Sequence, residues 1–110
     1  MAAYFDDEDL AHFGELKRHH PELWSLWEKY YGASFEAGLL TKREKVLIGF
    51  AVALSEKCPY CIHSYTQQAQ GLGLTMEHLA EAAHAAASLR AGITMAHALV
   101  AHNIDKKSGM

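Results

Sequence analysis

Cysteine and proline are scarce in this sequence, and it lacks both a long apolar run and an excess of basic residues. Its 110 residues include two cysteines and two prolines, and the formal net charge is -3. A basic face that would bind nucleic acid is therefore not expected. No stretch approaches the roughly 18 apolar residues of a membrane span, and the acidic start MAAYFDDEDLAHFGE is unlike a signal peptide. We expect a cytoplasmic protein that binds neither membrane nor nucleic acid.

The length and composition indicate one domain over residues 1–110. A chain of this size buries roughly two-thirds of its unfolded surface without needing a disulfide. Neither a repeat nor a linker interrupts it, and only Met1 to Ala3 and Lys106 to Met110 are expected to be loose. We assign residues 1–34 to N-terminal helices and residues 35–103 to the helical core.

Two short amphipathic helices are predicted near the N-terminus. The first runs from Asp7 to His19, and the second starts at Pro21, a residue favoured in a first helical turn. Their apolar stripes have helical spacing and comprise Leu10, Phe13 and Leu16 in the first, and Leu23, Leu26, Trp27 and Tyr30 in the second.

A central helix is predicted to begin at the capping box Thr41-Lys42-Arg43-Glu44. Its body, Val46 to Leu54, is apolar on every side, as expected of a helix surrounded by protein. A buried strand is the alternative, but the run is long and no hairpin signal follows.

Three further helices complete an all-α fold of about six helices. Tyr60 to Gln70 is predicted to be helical with Gly71 as its stop, and Met76 to Arg90 forms an alanine-rich helix. Small side chains allow close helix packing, against the central helix or another subunit. Gly92 is expected to break the pattern before a last helix, Ile93 to His102.

The two cysteines lie in one motif, CPYC, which permits three interpretations. They could form a structural staple, half of a metal site, or a redox couple. Pro59 is tolerated best in a first helical turn, which places Cys58 near the N-cap and Cys61 within that turn. Backbone N–H groups there favour thiolates, for which pKa values of about 3.5–7.5 are known against about 8.5 for free cysteine. The spacing also permits a reversible disulfide.

A redox couple is the favoured interpretation. In a reducing compartment a structural disulfide would not persist. A closed zinc site needs two further ligands, and no second C-x-x-C or histidine pair follows at zinc-finger spacing. A site made of Cys58, Cys61, His63 and one distant histidine stays open as the metal alternative.

Three blocks around the motif resemble the carboxymuconolactone decarboxylase superfamily, and within it the alkyl hydroperoxidase D-like, peroxidase-related branch. They are LTKREKVLIGFAVALSEKCPYCIHSYTQQA, then GLT with EHLAEAAHAAASLRAG, then ITMAHALVAHN. The resemblance covers about Phe35 to Asn103 and is more specific than C-x-x-C alone.

The resemblance implies a helical trimer or hexamer with the cysteine pair in a pocket between subunits. It also implies thiol-dependent peroxidase or disulfide reductase activity, with a small hydroperoxide or disulfide as substrate and a thiol or dithiol as electron donor. Decarboxylase members lack the pair, which argues against lactone decarboxylation. By carry-over, Cys61 resembles the peroxide-attacking residue and Cys58 its partner.

The sequence departs from the branch at its proton relay. The glutamate expected twelve residues before the first cysteine is Val46 here, and the histidine expected four after the second is Tyr65. A phenol is a poor base at neutral pH but can donate a hydrogen bond. Because Tyr65 is four residues after Cys61, it shares its helix face, although a packed core tyrosine fits that position equally well.

Three other residues are candidates to replace the relay, and each has a simpler interpretation. The capping box already explains Glu44, and Glu56 can be a solvated residue at a helix end. His63, two residues after Cys61, is expected to face away from it.

The sequence therefore predicts a redox enzyme whose site residues are Cys58, Cys61 and Tyr65. Since the sulfurs supply the chemistry, no organic cofactor and no resident metal are expected. The alternative is a non-enzymatic, redox-sensing or thiophile-binding oligomer of the same fold. A third possibility is a vestigial pair with ordinary reactivity.

Overall fold

The computed structural model describes residues 12–109, and all its regular structure is helical. A 3₁₀ helix is followed by four α-helices, which are Phe13–His19 (3₁₀), Pro21–Phe35 (α1), Lys42–Ser55 (α2), Pro59–Gly71 (α3) and Met76–Ser108 (α4). No strand occurs between residues 12 and 109, so the all-α prediction is confirmed. Residues 12–109 form five helices, whereas about six were predicted for the chain.

The difference in number arises in α4, which is continuous over 33 residues from Met76 to Ser108. The prediction that Gly92 ends one helix and begins another is wrong. A glycine inside a helix costs only about 1 kcal/mol relative to alanine, and the alanine-rich neighbours favour helix on both sides. The tail from Lys106 to Ser108, predicted to be loose, forms the last turn of this helix.

The N-terminal prediction covers residues that the structure does not describe, including Leu10 and all positions before His12. From Phe13 to His19 the predicted α-helix is a 3₁₀ helix instead. The next helix begins at Pro21 as predicted, and the Leu23 N–H donates to Nδ1 of His20, 3.3 Å away. A histidine side chain thus caps α1.

Helix α2 begins with the predicted capping box. The Glu44 N–H donates to the Thr41 hydroxyl at 3.1 Å, and the Thr41 N–H donates to the Glu44 carboxylate at 2.7 Å. Hydrogen bonds to the carboxylate from the Thr41 backbone, the larger cause, and from the Thr41 side chain lower the pKa of Glu44. The capping interpretation of Glu44 is confirmed.

Helix α2 is buried along one side, where α3 and α4 pack against it. Val46 is fully buried and Phe50 is 6% exposed, whereas Ile48 is 51% and Val52 is 56% exposed. The prediction of a helix covered on every side is therefore wrong for a single chain, because two neighbouring helices cover only part of its circumference. The core cluster comprises Val46, Phe50, Tyr65, Ala69, Leu74 and Leu79.

Two tight turns hold α3 in place, and both have the same hydrogen-bond pattern. In the cysteine turn, residues 56–58, the Cys58 N–H donates to the Ala53 carbonyl and the Lys57 N–H to that of Leu54, at 3.0 and 3.1 Å. In the glycine turn, residues 72–74, the Leu74 N–H donates to Ala69 and the Gly73 N–H donates to Gln70, at 2.9 and 3.1 Å. Both are Schellman motifs, which require a left-handed residue at their centre.

The end of α3 differs from the prediction. The helix includes Gly71, and the left-handed residue is Gly73, with a φ of 75°. Gly71 needs no left-handed conformation, so it does not act as the stop. Separately, among the described residues, none of the helices is long and apolar enough to cross a membrane.

Candidate thiol redox site

The CPYC motif forms the start of α3, as predicted from its sequence. Cys58 is the N-cap, Pro59 is the first helical residue, and the Cys61 N–H donates to Sγ of Cys58 at 3.3 Å. Proline needs no amide hydrogen in that position, so the turn forms without losing a hydrogen bond. The sulfur of Cys58 therefore receives one of the unpaired N–H groups at the helix start.

The two sulfurs lie 2.8 Å apart in a hydrogen bond, and both cysteines are free and half-buried. A disulfide bond is about 2.05 Å long, so a small side-chain movement would close it. The pair thus has the proximity required for reversible oxidation.

The pKa of Cys61 differs from the sequence-based expectation. Burial, the hydrogen bond with Cys58 and the charge of Cys58 raise the pKa of Cys61 to about 11. The prediction that the helix end lowers it is wrong for this residue, because desolvation and a neighbouring sulfur outweigh the helix dipole. The Cys61 thiol therefore stays protonated at neutral pH.

The residue immediately before the pair has an unusual backbone conformation. Lys57, at the centre of the cysteine turn, has a φ of 57°, the one positive value at a non-glycine among residues 12–109. The left-handed region costs a residue with a Cβ about 1–2 kcal/mol. The surrounding hydrogen bonds hold this strain and fix where Cys58 enters α3.

The pair opens into a cavity of about 570 Å³, formed by the 3₁₀ helix, α1 and α3. The residues lining it are uncharged and largely aromatic, namely Phe13, Gly14, Trp27, Tyr31, Cys58, Tyr60, Cys61, Ser64, Tyr65 and Gln68. A cavity of this size holds a small organic molecule. The cysteines are thus accessible to an uncharged ligand.

A chain of touching aromatic rings forms the wall of the cavity. Tyr60 meets Phe13 at 5.2 Å between ring centroids, and Phe13 meets Trp27 at 5.9 Å. From there, Trp27 packs on Tyr31 at 5.1 Å, and Tyr31 stacks on Phe35 at 5.0 Å. Such ring pairs add about 0.5–1.5 kcal/mol each beyond their buried area. The wall is therefore ordered by its own contacts.

Tyr65 lies in the core directly behind the pair. It is 6% exposed, and Cys61 packs against the core cluster to which it belongs. The buried Val46, at the position of the missing glutamate, belongs to the same cluster. A Cβ on Gly49 would come within 2.5 Å of the Tyr65 ring, so this glycine makes room for the tyrosine.

The Tyr65 hydroxyl is hydrogen-bonded to the hydroxyl of Tyr31, which is 38% exposed. Burial, this hydrogen bond and the charges of Tyr31 and Cys61 raise the pKa of Tyr65 above its ordinary value of 10.0. Tyr65 is therefore protonated at neutral pH. It can donate a hydrogen bond but cannot act as a base.

Two other residues considered from sequence do not line the cavity. Glu56 is exposed and forms the C-cap of α2. His63 is half-buried on α3 and is not among the residues that line the cavity. Between residues 12 and 109, no group of three or more histidine, cysteine, aspartate or glutamate side chains is placed to hold a metal ion.

Sequence analysis missed the contribution of α1 to the site. The predicted stripe lies largely outside the packed surface, since Leu23 is 59%, Leu26 is 65% and Tyr30 is 75% exposed. Trp27 belongs to the predicted stripe and does line the cavity, but the aromatic face of α1 continues from it at spacings of three and four through Trp24, Tyr31 and Phe35. Both patterns fit a helix, and the run of aromatic residues on one face was the signal that could have selected the correct one.

Residues 21–102 match the family model described as "Carboxymuconolactone decarboxylase family". "Uncharacterized protein 4 in cox locus" of Paracoccus denitrificans is 45% identical over 64 residues, covering 58% of each chain. "Uncharacterized protein" of Haemophilus influenzae is 30% identical over 57 residues, 52% of this chain and 50% of the relative. The chain therefore matches between half and three-fifths of the length of these two relatives.

Proposed function

The chain belongs to the carboxymuconolactone decarboxylase family, and on that premise we propose that it is a thiol-dependent oxidoreductase. Its substrate is an uncharged organic hydroperoxide or a small disulfide, and its redox couple is Cys58 and Cys61. The observation that carries this proposal is the position of both sulfurs, 2.8 Å apart at a helix start and open to one cavity.

Cys58 is the sulfur that attacks first in this scheme. It receives the N–H of Cys61 at 3.3 Å, whereas the pKa of the Cys61 thiol is raised to about 11. The family resemblance implied the opposite assignment, with Cys61 attacking. The local geometry supports Cys58 because a hydrogen bond to the charged form stabilises a thiolate.

In the peroxidase half-reaction, the Cys58 thiolate attacks the terminal oxygen of the hydroperoxide. The O–O bond breaks, a proton joins the departing alkoxide to give an alcohol, and Cys58 becomes a sulfenic acid. The Cys61 sulfur then attacks that of Cys58. Hydroxide leaves with the Cys61 proton as water, and the disulfide forms.

A thiol donor completes the cycle. One donor thiolate attacks the disulfide and forms a mixed disulfide, and a second donor thiol displaces it. Two donor thiols are oxidised to one disulfide while Cys58 and Cys61 return to the dithiol. The same exchange, run with a disulfide substrate, would constitute disulfide reductase activity.

The wall of the cavity supports an uncharged, preferably aromatic substrate. Its aromatic residues offer faces for stacking, and among the described residues no charged side chain lines it to bind an ionic group. Ser64, Gln68 and the Tyr31 hydroxyl are among the polar groups of the lining that can reach a hydroperoxide or water. Within this scheme Tyr65 supports Cys61 from the core and excludes water behind it.

Assembly as a homotrimer or homohexamer stays part of the proposal. Large apolar side chains in the second half of α4 are about half exposed or more in the single chain, including Ile93, Met95, Leu99, Val100 and Ile104. Covering them with a second copy would remove apolar surface from water. Sedimentation of the purified chain measures this directly.

Single-turnover oxidation with cumene hydroperoxide, followed by steady-state turnover with dithiothreitol, tests the proposal. Cys58→Ser should not consume peroxide, whereas Cys61→Ser should gain one oxygen atom at Cys58, visible by mass spectrometry, and then stop. Ser88→Ala, on the exposed side of α4, is the control and should behave as the unaltered chain. Equal peroxide consumption by the double variant Cys58→Ser/Cys61→Ser contradicts the proposal.

The same samples address the alternative function. A chain that binds a trivalent arsenical in one equivalent through its cysteines, yet turns over neither peroxide nor disulfide, would be a thiophile-binding protein instead. The raised pKa of Cys61 is the observation that keeps this second function in view.

A further inference from the structure

The proposed reaction needs an acid, because the oxygen that leaves a hydroperoxide departs as a strong base. Alkoxides are strong bases like hydroxide, so they take up a proton as they leave. A positioned acid accelerates such a step by about 10²–10⁴-fold. The glutamate and histidine expected for proton transfer are absent, and Val46 is an apolar core residue.

Two phenols in the lining of the cavity are candidates for this acid. Tyr31 and Tyr65 line the same cavity as both sulfurs, and their hydroxyl groups are hydrogen-bonded to each other. They come from different helices, α1 and α3, so only the folded chain brings them together. Ring contacts with Phe35, at 5.0 Å to Tyr31 and 5.5 Å to Tyr65, fix the pair.

We propose that Tyr31 is the catalytic acid of the peroxidase half-reaction and that Tyr65 is the residue that positions it. The proposal rests on the thiol chemistry set out above. Tyr65 donates its hydrogen to the Tyr31 oxygen, which leaves the Tyr31 hydrogen free to point into the cavity.

The step is balanced by the two phenols and solvent. As the Cys58 thiolate takes the terminal oxygen, the departing alkoxide takes the Tyr31 proton and leaves as an alcohol. The hydrogen bond from Tyr65 stabilises the Tyr31 phenolate. Tyr31 is 38% exposed, so water returns the proton, whereas Tyr65 is buried and keeps its own.

The raised pKa of Tyr65 agrees with this division of roles. A buried phenol that does not ionise at neutral pH is a permanent donor, and the hydrogen bond with Tyr31 is one of the causes of the shift. Gly49 supports the arrangement, since a side chain there would displace the Tyr65 ring.

The dependence on the leaving group separates acid catalysis from a structural effect. Cumene hydroperoxide releases an alkoxide, whereas perbenzoic acid releases a carboxylate, whose conjugate acid has a pKa near that of glutamic acid, about 4.3, and which needs no proton. Single-turnover oxidation of Cys58 by each peroxide is measured in the unaltered chain and in three phenylalanine variants.

Tyr31→Phe should oxidise about 100-fold more slowly with cumene hydroperoxide and less than about threefold more slowly with perbenzoic acid. Tyr65→Phe keeps the ring packed. Its oxidation rate should fall about tenfold with cumene hydroperoxide and should not fall with perbenzoic acid. Tyr30→Phe, the exposed neighbour on α1, is the matched control and should change neither rate.

An equal loss with both peroxides, or no loss with either, would overturn the assignment of Tyr31 while leaving the thiol chemistry in place. An unaltered chain that reacts with neither peroxide would overturn both proposals. The two failures are thus distinguishable in one set of measurements.

Discussion

Helix α3 lies between two turns that share one backbone design and deliver different side chains. Each turn is a Schellman motif. The residue that follows the left-handed residue is Cys58 in the cysteine turn and Leu74 in the glycine turn. The cysteine turn places a sulfur beside a cavity, whereas the glycine turn places a leucine, 6% exposed, in the core. One motif therefore supports chemistry at one end of the helix and stability at the other.

The central residues of the two turns sharpen this comparison. The glycine turn uses Gly73, for which a φ of 75° has no steric cost, whereas the cysteine turn uses Lys57 at 57°. Strained backbone is found where the surrounding structure over-determines it, and often near functional sites. The glycine turn therefore places Leu74 in the core without backbone strain, whereas the cysteine turn fixes the position of Cys58 at the cost of backbone strain.

The largest expected effect on stability is at Leu74. Leu74→Ala should lower the free energy of unfolding by about 2–4 kcal/mol, because it leaves a cavity in the core. Cys58→Ser should change it by less than about 1 kcal/mol, since a serine hydroxyl is itself a good N-cap. Urea unfolding followed by circular dichroism measures both. A Cys58→Ser variant less stable than Leu74→Ala would break the comparison.

Gly49→Ala should have the next largest effect. Its Cβ would lie 2.5 Å from the Tyr65 ring, so ring and helix must separate. Overpacking of this kind costs about 1–3 kcal/mol. Peroxide reduction should fall as well, because Tyr65 no longer holds Tyr31.

The matched control for that substitution is Gly32→Ala in α1, where a Cβ meets nothing within 4 Å. It should be neutral or slightly stabilising, since alanine is the better helix former. If the two variants unfold at the same urea concentration, the close approach of Tyr65 to α2 is not a constraint.

Gly73→Ala should destabilise the chain by about 1–2 kcal/mol, because a residue with a Cβ must then adopt the left-handed conformation. The substitution lies at the far end of α3 from the sulfurs. Thiol oxidation rates should therefore match the unaltered chain in conditions where the variant is folded. A selective loss of thiol reactivity would show that the two ends are not separate.

Lys57→Gly should have the smallest effect and the opposite sign. Relief of about 1–2 kcal/mol of left-handed strain is partly offset by the greater backbone freedom of glycine in the unfolded chain. A net gain of about 0.5–1 kcal/mol in the free energy of unfolding is expected from urea titration. A loss of stability would mean that the lysine side chain contributes more than its conformation costs.

Features determined within one helical turn could be predicted from the sequence. The capping box at Thr41 and the CPYC helix start depend on residues three apart, and both form as the pattern indicates. The all-α class follows from the same local signals. The continuity of α4 could not be predicted in this way, because the effect of Gly92 depends on the sum of small helix propensities along the whole segment.

The electrostatics of the site depend on tertiary contacts and could not be predicted from spacing. The spacing predicts that Cys61 lies in the first turn of a helix, as it does, but burial and the neighbouring sulfur determine the direction of its pKa shift. Tyr31 was not identified because its role depends on which face of α1 packs over α3. Two interleaved stripes on that helix satisfy the same period.

The most direct measurement of the central claim is the rate of iodoacetamide alkylation at each cysteine from pH 5 to pH 11, read by peptide mass spectrometry. Because its pKa is raised to about 11, Cys61 should stay protonated and be labelled only toward the top of this range. We expect Cys58 to be labelled at lower pH, and the pH for labelling Cys61 to fall when Cys58 is replaced by alanine. Labelling of Cys61 before Cys58, or slow labelling of both that neither substitution changes, would contradict a redox couple in which Cys58 reacts first.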